Sequence, residues 1–298
     1  MENVNCIDYA PKIDFQNCFK GHSGDKNVVY KSTDERDLVL SYYLPPAYDK
    51  SKKYPCFIFI HGGGWHSRNI LGDQSDWSGD YLGYLARYYA NKSFVAVSID
   101  YRLMRESGQA EGFQLIDLYE DCYDAVKYIT DNSSEYGIDT ESIFLLGESA
   151  GGYLAAALAT FPYKPKQKFS QVFLVNSIVD IYNDKVWNKY SPKKSDNVFL
   201  KGLSEEEIAV ALSPVYQLQS HQSSFVLFHG KDDTVVNPRQ SYDFYEKAKL
   251  LSNESEIHIF ECTNHAFLCV EYTQKYINAC KETIKIIDCK LREKGIEL

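Results

Sequence analysis

Residues 147 to 151, Gly-Glu-Ser-Ala-Gly, stand between an apolar run, Ile143-Phe144-Leu145-Leu146, and an alanine-rich stretch that follows Tyr153. Small residues on both sides of a serine allow a strained strand-to-helix turn. That turn lifts the hydroxyl to the end of a sheet and leaves the next N–H, of Ala150, aimed at the same point. A serine so presented does nucleophilic chemistry at a carbonyl. A second glycine cluster, His61-Gly62-Gly63-Gly64-Trp65, follows another apolar run within 57–69. Backbone this bare suits either a phosphate or the negative oxygen of an acyl-transfer transition state. The phosphate loop pattern G-x-x-x-x-G-K-[ST] is absent, and this cluster lacks G-x-G-x-x-G spacing at a helix start. The N–H groups of Gly63 and Gly64 are therefore expected to join that of Ala150 in an oxyanion hole.

A serine nucleophile needs a base and an acid, and on a sheet of this kind they follow it in the order acid, then histidine. Of the seven histidines, His22, His61 and His66 precede Ser149, His221 lies at a loop edge, His229 ends a strand and His258 lies inside one. His265, in Cys262-Thr263-Asn264-His265 just after the last strand-like run, is correctly placed. For the acid, Asp232 and Asp233 both leave the run 225–230, and Asp180 follows the run 171–176. Spacing leaves all three open.

The elements that must hold these groups are legible as eight strand-like runs, at 27–31, 38–44, 56–60, 94–100, 143–147, 171–176, 225–230 and 256–260. Most are apolar throughout rather than alternating, as strands buried on both faces of a parallel sheet are. Helical spacing of apolar residues appears over 76–91, 116–131, 238–252 and about 270–294. The alternation implies an α/β fold with a mostly parallel eight-stranded sheet and helices on both faces. The expected organisation is one domain over 1–298, with an N-terminal extension at 1–25 and a cap-like insertion at 177–222 that covers the site. Ser204 and Glu207 form a capping-box pattern inside that insertion.

A formal charge of −9 disfavours nucleic acid and anionic membrane surfaces as partners. The N-terminus lacks a basic region followed by an apolar run, and no stretch reaches the length of a membrane span, so a cytoplasmic protein is expected. The eight cysteines show no C-x-x-C pair; free, buried thiols are expected, with no metal site among them.

The stretches YYLPPAYDKSKKYPCFIFIHGGGW, VSIDYRL, EDCYDAVKYI, EYGIDTESIFLLGESAGG, HGKDDTVV and NHAF together resemble α/β-hydrolases of the hormone-sensitive-lipase and bacterial feruloyl-esterase type, from about Val28 onward. The resemblance implies an α/β-hydrolase fold and a carboxylesterase using a Ser149-His265-Asp233 triad. Asp233 is set by aligning H-G-x-x-D-x-x-V with residues 229–236. It implies no cofactor and a small-molecule ester as partner, with short-acyl, carbohydrate or aryl esters (acetyl, feruloyl) as the class; a homodimer is compatible with it. Trp65 and Trp187 are candidate substrate-binding residues. The pattern also suits an amide hydrolase such as an aryl-formamidase or acylaminoacyl peptidase, and a non-catalytic binding protein on the same scaffold is the third reading.

Overall fold

The computed structural model describes residues 24–67, 82–104, 113–163, 168–265, 267–268 and 275–298. Every apolar run expected to be a strand is one: β1 Lys26–Ser32, β2 Asp37–Tyr43, β3 Tyr54–Ile60, β4 Val95–Ile99, β5 Ile138–Glu148, β6 Gln171–Val175, β7 Phe225–Gly230 and β8 Ser255–Phe260. They form one sheet in the order β1-β2-β4-β3-β5-β6-β7-β8. β1 and β2 run antiparallel to their neighbours, and the rest of the sheet is parallel.

Around it lie α1 Gly83–Ala90, α2 Leu115–Asp131, α3 Ala150–Thr160, α4 Glu205–Ala211, α5 Pro214–Gln217, α6 Arg239–Leu250 and α7 Ile277–Glu293. The helices expected over 76–91 and 270–294 are seen from Gly83 and Ile277; residues 68–81 and 269–274 lie outside the described set, as do 1–23 of the expected extension.

Continuous hydrophobicity in the strands has the cause the sequence implied. In β3, Cys56, Ile58 and Ile60 bury into one core with α2, α3 and α6, while Phe57 and Phe59 bury into the other with α1 and α7. The ring of Phe57 alone lies 4.5 to 6.1 Å from those of Phe59, Tyr89, Phe94, Phe144 and Phe173. Burying each such ring is worth roughly 1.5–3 kcal/mol, and both faces of the central strands draw on it.

One element lies unusually close to the sheet. The first turns of α3 carry Gly151, Gly152 and three consecutive alanines, and a Cβ placed on Gly151 would stand 2.2 Å from the carbonyl oxygen of Ile60 in β3. Only a residue without a side chain fits there, so the helix that follows Ser149 is seated directly against the end of β3.

The segment 177–222 differs from a wholly polar excursion. Lys193, Lys194 and Asp196 face solvent, but Ile178, Ile181, Leu200, Leu212 and Trp187 are buried in the same core as α3. Its polar composition concealed this because the apolar residues are spread singly among charged ones. The capping box is present: Ser204 Oγ accepts from the Glu207 N–H at 3.3 Å, and Glu207 accepts from the Ser204 N–H at 2.8 Å.

Cys56 and Cys122 are buried free thiols and Cys262 is an exposed one, Cys280 is buried outside any disulfide, and Cys289 is disulfide-bonded, a correction to the expectation of free thiols. A cysteine in a helical apolar pattern carries no sign of its pairing. Burial pushes the Cys56 and Cys122 thiols up, away from the reactive thiolate. Among the described residues no helix is long and apolar enough to cross a membrane.

Candidate active site

Ser149 sits between β5 and α3 with φ 55° and ψ −119°, a conformation L residues rarely adopt. Its N–H donates to the Val175 carbonyl of β6 at 2.8 Å, which locks the turn to the neighbouring strand. A Cβ on Gly151 would also stand 2.4 Å from the carbonyl oxygen of His61. The His61-to-Trp65 loop is thus pressed against the serine turn. Within it Gly63 and Gly64 have φ of 97° and 63°, and the Gly63 carbonyl accepts from the N–H groups of His66 and Ser67, each at 3.1 Å. Tyr101 closes the loop from below by donating its hydroxyl to the His61 carbonyl at 2.8 Å.

The three residues expected to act together meet. His265 Nε2 lies 2.9 Å from Ser149 Oγ, and its Nδ1 lies 2.6 Å from Asp233 Oδ2. The loops bearing histidine and acid are tied to each other: Asn264 Oδ1 accepts from the Thr234 N–H at 3.0 Å and the His265 N–H at 2.7 Å, and the Asp232 N–H donates to the Thr263 carbonyl at 3.0 Å. Of the three candidate acids, Asp233 is the one that meets His265. Asp232 faces solvent. Asp180 is held within the 177–222 segment, accepting from the Asn183 N–H at 2.9 Å, the Asn183 side-chain amide at 3.0 Å and the Tyr216 hydroxyl at 3.3 Å.

Burial of Asp233 acts to raise its pKa, but the N–H groups of His229, His265 and Val236 outweigh it and hold the carboxyl well below the usual carboxylate range. At neutral pH it is an anion. Its Oδ1 accepts from the Val235 and Val236 N–H groups at 2.8 and 2.9 Å.

The two tryptophans fall differently from a pair of open walls. Trp65 has no exposed surface; its φ is 66°, and its indole N–H donates to the Ala150 carbonyl at 3.1 Å. It therefore braces one glycine element against the other. Trp187 lies edge-on to it at 5.4 Å, and Tyr190 and Tyr153 meet the same ring at 5.1 and 5.3 Å. Trp65→Ala should destabilise the fold by about 3–5 kcal/mol, the usual cost of emptying a buried indole site. Urea unfolding measures this, and a loss under about 1 kcal/mol would mean the ring is not a packing element.

Sequence reasoning passed over Tyr190, Tyr153 and Asn176. The two tyrosines had no local signal among 24 tyrosines. Asn176, with φ 45°, accepts through its side-chain oxygen from the Gly230 N–H at 3.0 Å and so spans β6 and β7 beneath the site. An asparagine that ends a core strand was the available clue, since asparagine tolerates positive φ.

The family model BD-FAE matches residues 40–248. Arylacetamide deacetylase of Bos taurus is 36% identical over 142 residues, 46% of this chain and 32% of the relative. A probable isoprenylcysteine alpha-carbonyl methylesterase, ICMEL1, of Arabidopsis thaliana is 24% identical over 264 residues, 83% of this chain and 52% of the relative. The chain thus spans between a third and a half of the length of these curated relatives. Among solved structures, the apo form of Thermogutta terrifontis esterase 2 has a TM-score of 0.74 at 23% identity, covering 94% of this chain and 97% of that one. The sheet order and the serine turn are those of an α/β-hydrolase fold.

Proposed function

Because the chain belongs to the BD-FAE family, within the carboxylesterase-type α/β-hydrolases, we propose that it is a serine hydrolase that cleaves a carboxylic ester. The observation that carries this reading is the unbroken path from Ser149 Oγ through both ring nitrogens of His265 to Asp233, with contacts of 2.9 and 2.6 Å. Ser149 Oγ attacks the ester carbonyl as His265 Nε2 takes its proton. The negative oxygen is met by the N–H groups of Gly63, Gly64 and Ala150, which are set before the reaction and so cost no rearrangement during it. His265 then gives the proton to the departing alcohol, leaving an acyl group on Ser149. Water repeats the sequence: His265 takes its proton, the oxygen attacks the acyl carbon, and Ser149 leaves with the proton returned. Asp233 keeps His265 in the tautomer that presents Nε2 to the serine.

The direct test is an alkyl fluorophosphonate probe, which reacts with activated serines. The purified protein should be labelled at Ser149 and should hydrolyse phenyl acetate; a folded protein that does neither has no such function.

For the substrate we assign short acyl chains on aryl or carbohydrate alcohols, acetyl first and feruloyl as an aromatic variant. Support comes from the roof. The segment 177–222 presents lysines and aspartate outward, along with Val186 and Val198, and packs Trp187 and Tyr190 tightly on Trp65, so the aromatic rings beside Trp65 are already used against the protein. Each further methylene of an acyl chain gains about 0.8 kcal/mol only where free apolar wall remains. Structures of the Thermogutta terrifontis esterase are described as propionate-bound and butyrate-bound, which are acids of this length. Acetyl and butyryl p-nitrophenyl esters should therefore give higher kcat/KM than the decanoyl ester. An optimum at decanoyl or longer would show a lipid tunnel instead.

Amide cleavage is the second reading, favoured by the relative named arylacetamide deacetylase. The same residues serve it, and comparing phenyl acetate with acetanilide separates the two.

A further inference from the structure

His229 is the penultimate residue of β7, has no exposed surface and lies outside the reaction steps. Its Nε2 is 3.0 Å from the Val236 carbonyl oxygen and 3.2 Å from Asp233 Oδ2, and its Nδ1 is 2.7 Å from Ser241 Oγ of α6. A carbonyl oxygen can only accept, so Nε2 must carry a proton. Nδ1 can then accept from the Ser241 hydroxyl, and the neutral ring accounts for every contact without a second charge in the interior. The Nε2–H is given to the Val236 carbonyl, and the carboxylate that faces His265 lies 3.2 Å from the same nitrogen.

We propose that His229 is a positioning residue for hydrolysis: its Nε2–H holds the Asp233 carboxylate in place and draws off part of the negative charge that His265 would otherwise feel. The proposal rests on the reading of Ser149, His265 and Asp233 as a catalytic triad. Asp233 accepts three N–H groups, one on Oδ2 from His265 and two on Oδ1 from Val235 and Val236, and His229 Nε2 stands 3.2 Å from the same Oδ2. The carboxylate has no freedom to swing and little spare basicity. Low desolvated charge, rigidly aimed, is what orients an imidazole without trapping its proton.

Other charges nearby are turned elsewhere. Asp232 is exposed, and Lys231 is held by Glu261 at the surface. On α6, Asp243 and Glu246 lie near Arg239, at 2.7 and 3.9 Å, on the solvent side. His265 itself faces Asp233 and Ser149. A change at position 229 would reach the reaction through the ring–carboxylate contact and through Val236, whose carbonyl faces the ring and whose N–H bonds Asp233 Oδ1.

The test uses His229→Leu, which keeps most of the volume and removes the donor, and His229→Gln, which restores an N–H near the Nε2 position. The Leu variant should lower kcat about tenfold, the effect of one lost hydrogen bond to a charged group, with KM unchanged within about twofold. It should also move the acid limb of the kcat/KM profile upward by about half a pH unit, because a less neutralised carboxylate holds the proton on His265 more firmly. Gln should recover most of both. Equal losses in Leu and Gln with an unmoved acid limb would reduce His229 to a packing residue and overturn the proposal, as would a Leu variant with the parent rate and profile. Nitrogen-15 spectra of the histidine-labelled parent give an answer that needs neither variant nor activity: the proton of His229 should be on Nε2, and a proton on Nδ1 alone overturns the proposal. If the parent protein hydrolyses nothing, the triad reading fails, and the tautomer still decides whether His229 holds Asp233.

Discussion

Ser149→Ala is expected to lower kcat on a short aryl ester by about a million-fold, the loss seen when a residue that acts as part of a unit is removed. The size follows from the geometry. With Oγ gone, His265 Nε2 loses the group 2.9 Å away that it would deprotonate, and the oxyanion donors can act only on attack by bulk water. The substitution should be nearly silent for folding. Ala would keep the N–H that bonds the Val175 carbonyl, although the positive φ suits alanine no better than serine. The decisive pair of measurements is the steady-state rate and fluorophosphonate labelling of parent and variant side by side. Equal labelling of the two proteins would remove Ser149 from the mechanism.

Asp233→Asn should cost about ten-thousand-fold in kcat with the fold retained, because an amide N–H facing Nδ1 favours the wrong imidazole tautomer. Asp180→Asn and Asp232→Asn should be far milder, since Asp180 is committed to Asn183 and Tyr216 and Asp232 to solvent. If Asp180→Asn proved the most damaging of the three, the acid would have been misassigned. A second signature concerns acid. The folded Asp233 titrates below the ordinary carboxylate range. Its contribution to stability is therefore fully present above the unfolded value of about 3.9 and is lost as pH falls below it toward the folded one. The gap in Tm between parent and Asp233→Asn should thus be constant near neutrality and narrow below about pH 4. A gap that instead widened with acid would contradict the lowered carboxyl.

What was legible in the sequence, and what was not, divides by the range of the cause. The strands could be read because burial on both faces demands unbroken apolar runs, and Phe57 with Ile58 shows each face taking alternate residues. Ser149 could be read because the turn it occupies admits few neighbours; Gly151, seated on Ile60, is the structural reason. The choice among Asp180, Asp232 and Asp233 could not be made from spacing, since adjacent residues leaving a strand point in opposite directions and only the docked loop reveals which is inward. The resemblance singled out Asp233, the residue whose carboxylate lies 2.6 Å from His265. His229 carries no signal beyond its place at the end of a strand, yet four residues later the loop brings the Asp233 carboxylate to 3.2 Å from its ring. Trp65, a candidate for substrate contact, is fully buried and braces the two glycine elements, because a buried indole and a pocket-lining one look the same in a sequence.

The order of the strands has a consequence for how the chain comes alive during synthesis. Ser149 leaves β5 near the middle of the sheet, but His265 follows β8 at its edge, 116 residues later. Ribosomes deliver chain at about 5–20 residues per second, so the nucleophile waits on the order of ten seconds for its base. During that interval the serine turn can form while its hydroxyl stays as unreactive as any other. The β7–β8 pairing holds the acid loop and the histidine loop together through Asn264, so the hydroxyl would have its base only once that pairing exists. If the three residues act as a triad, the serine therefore gains its base only after the chain through β8 has been made.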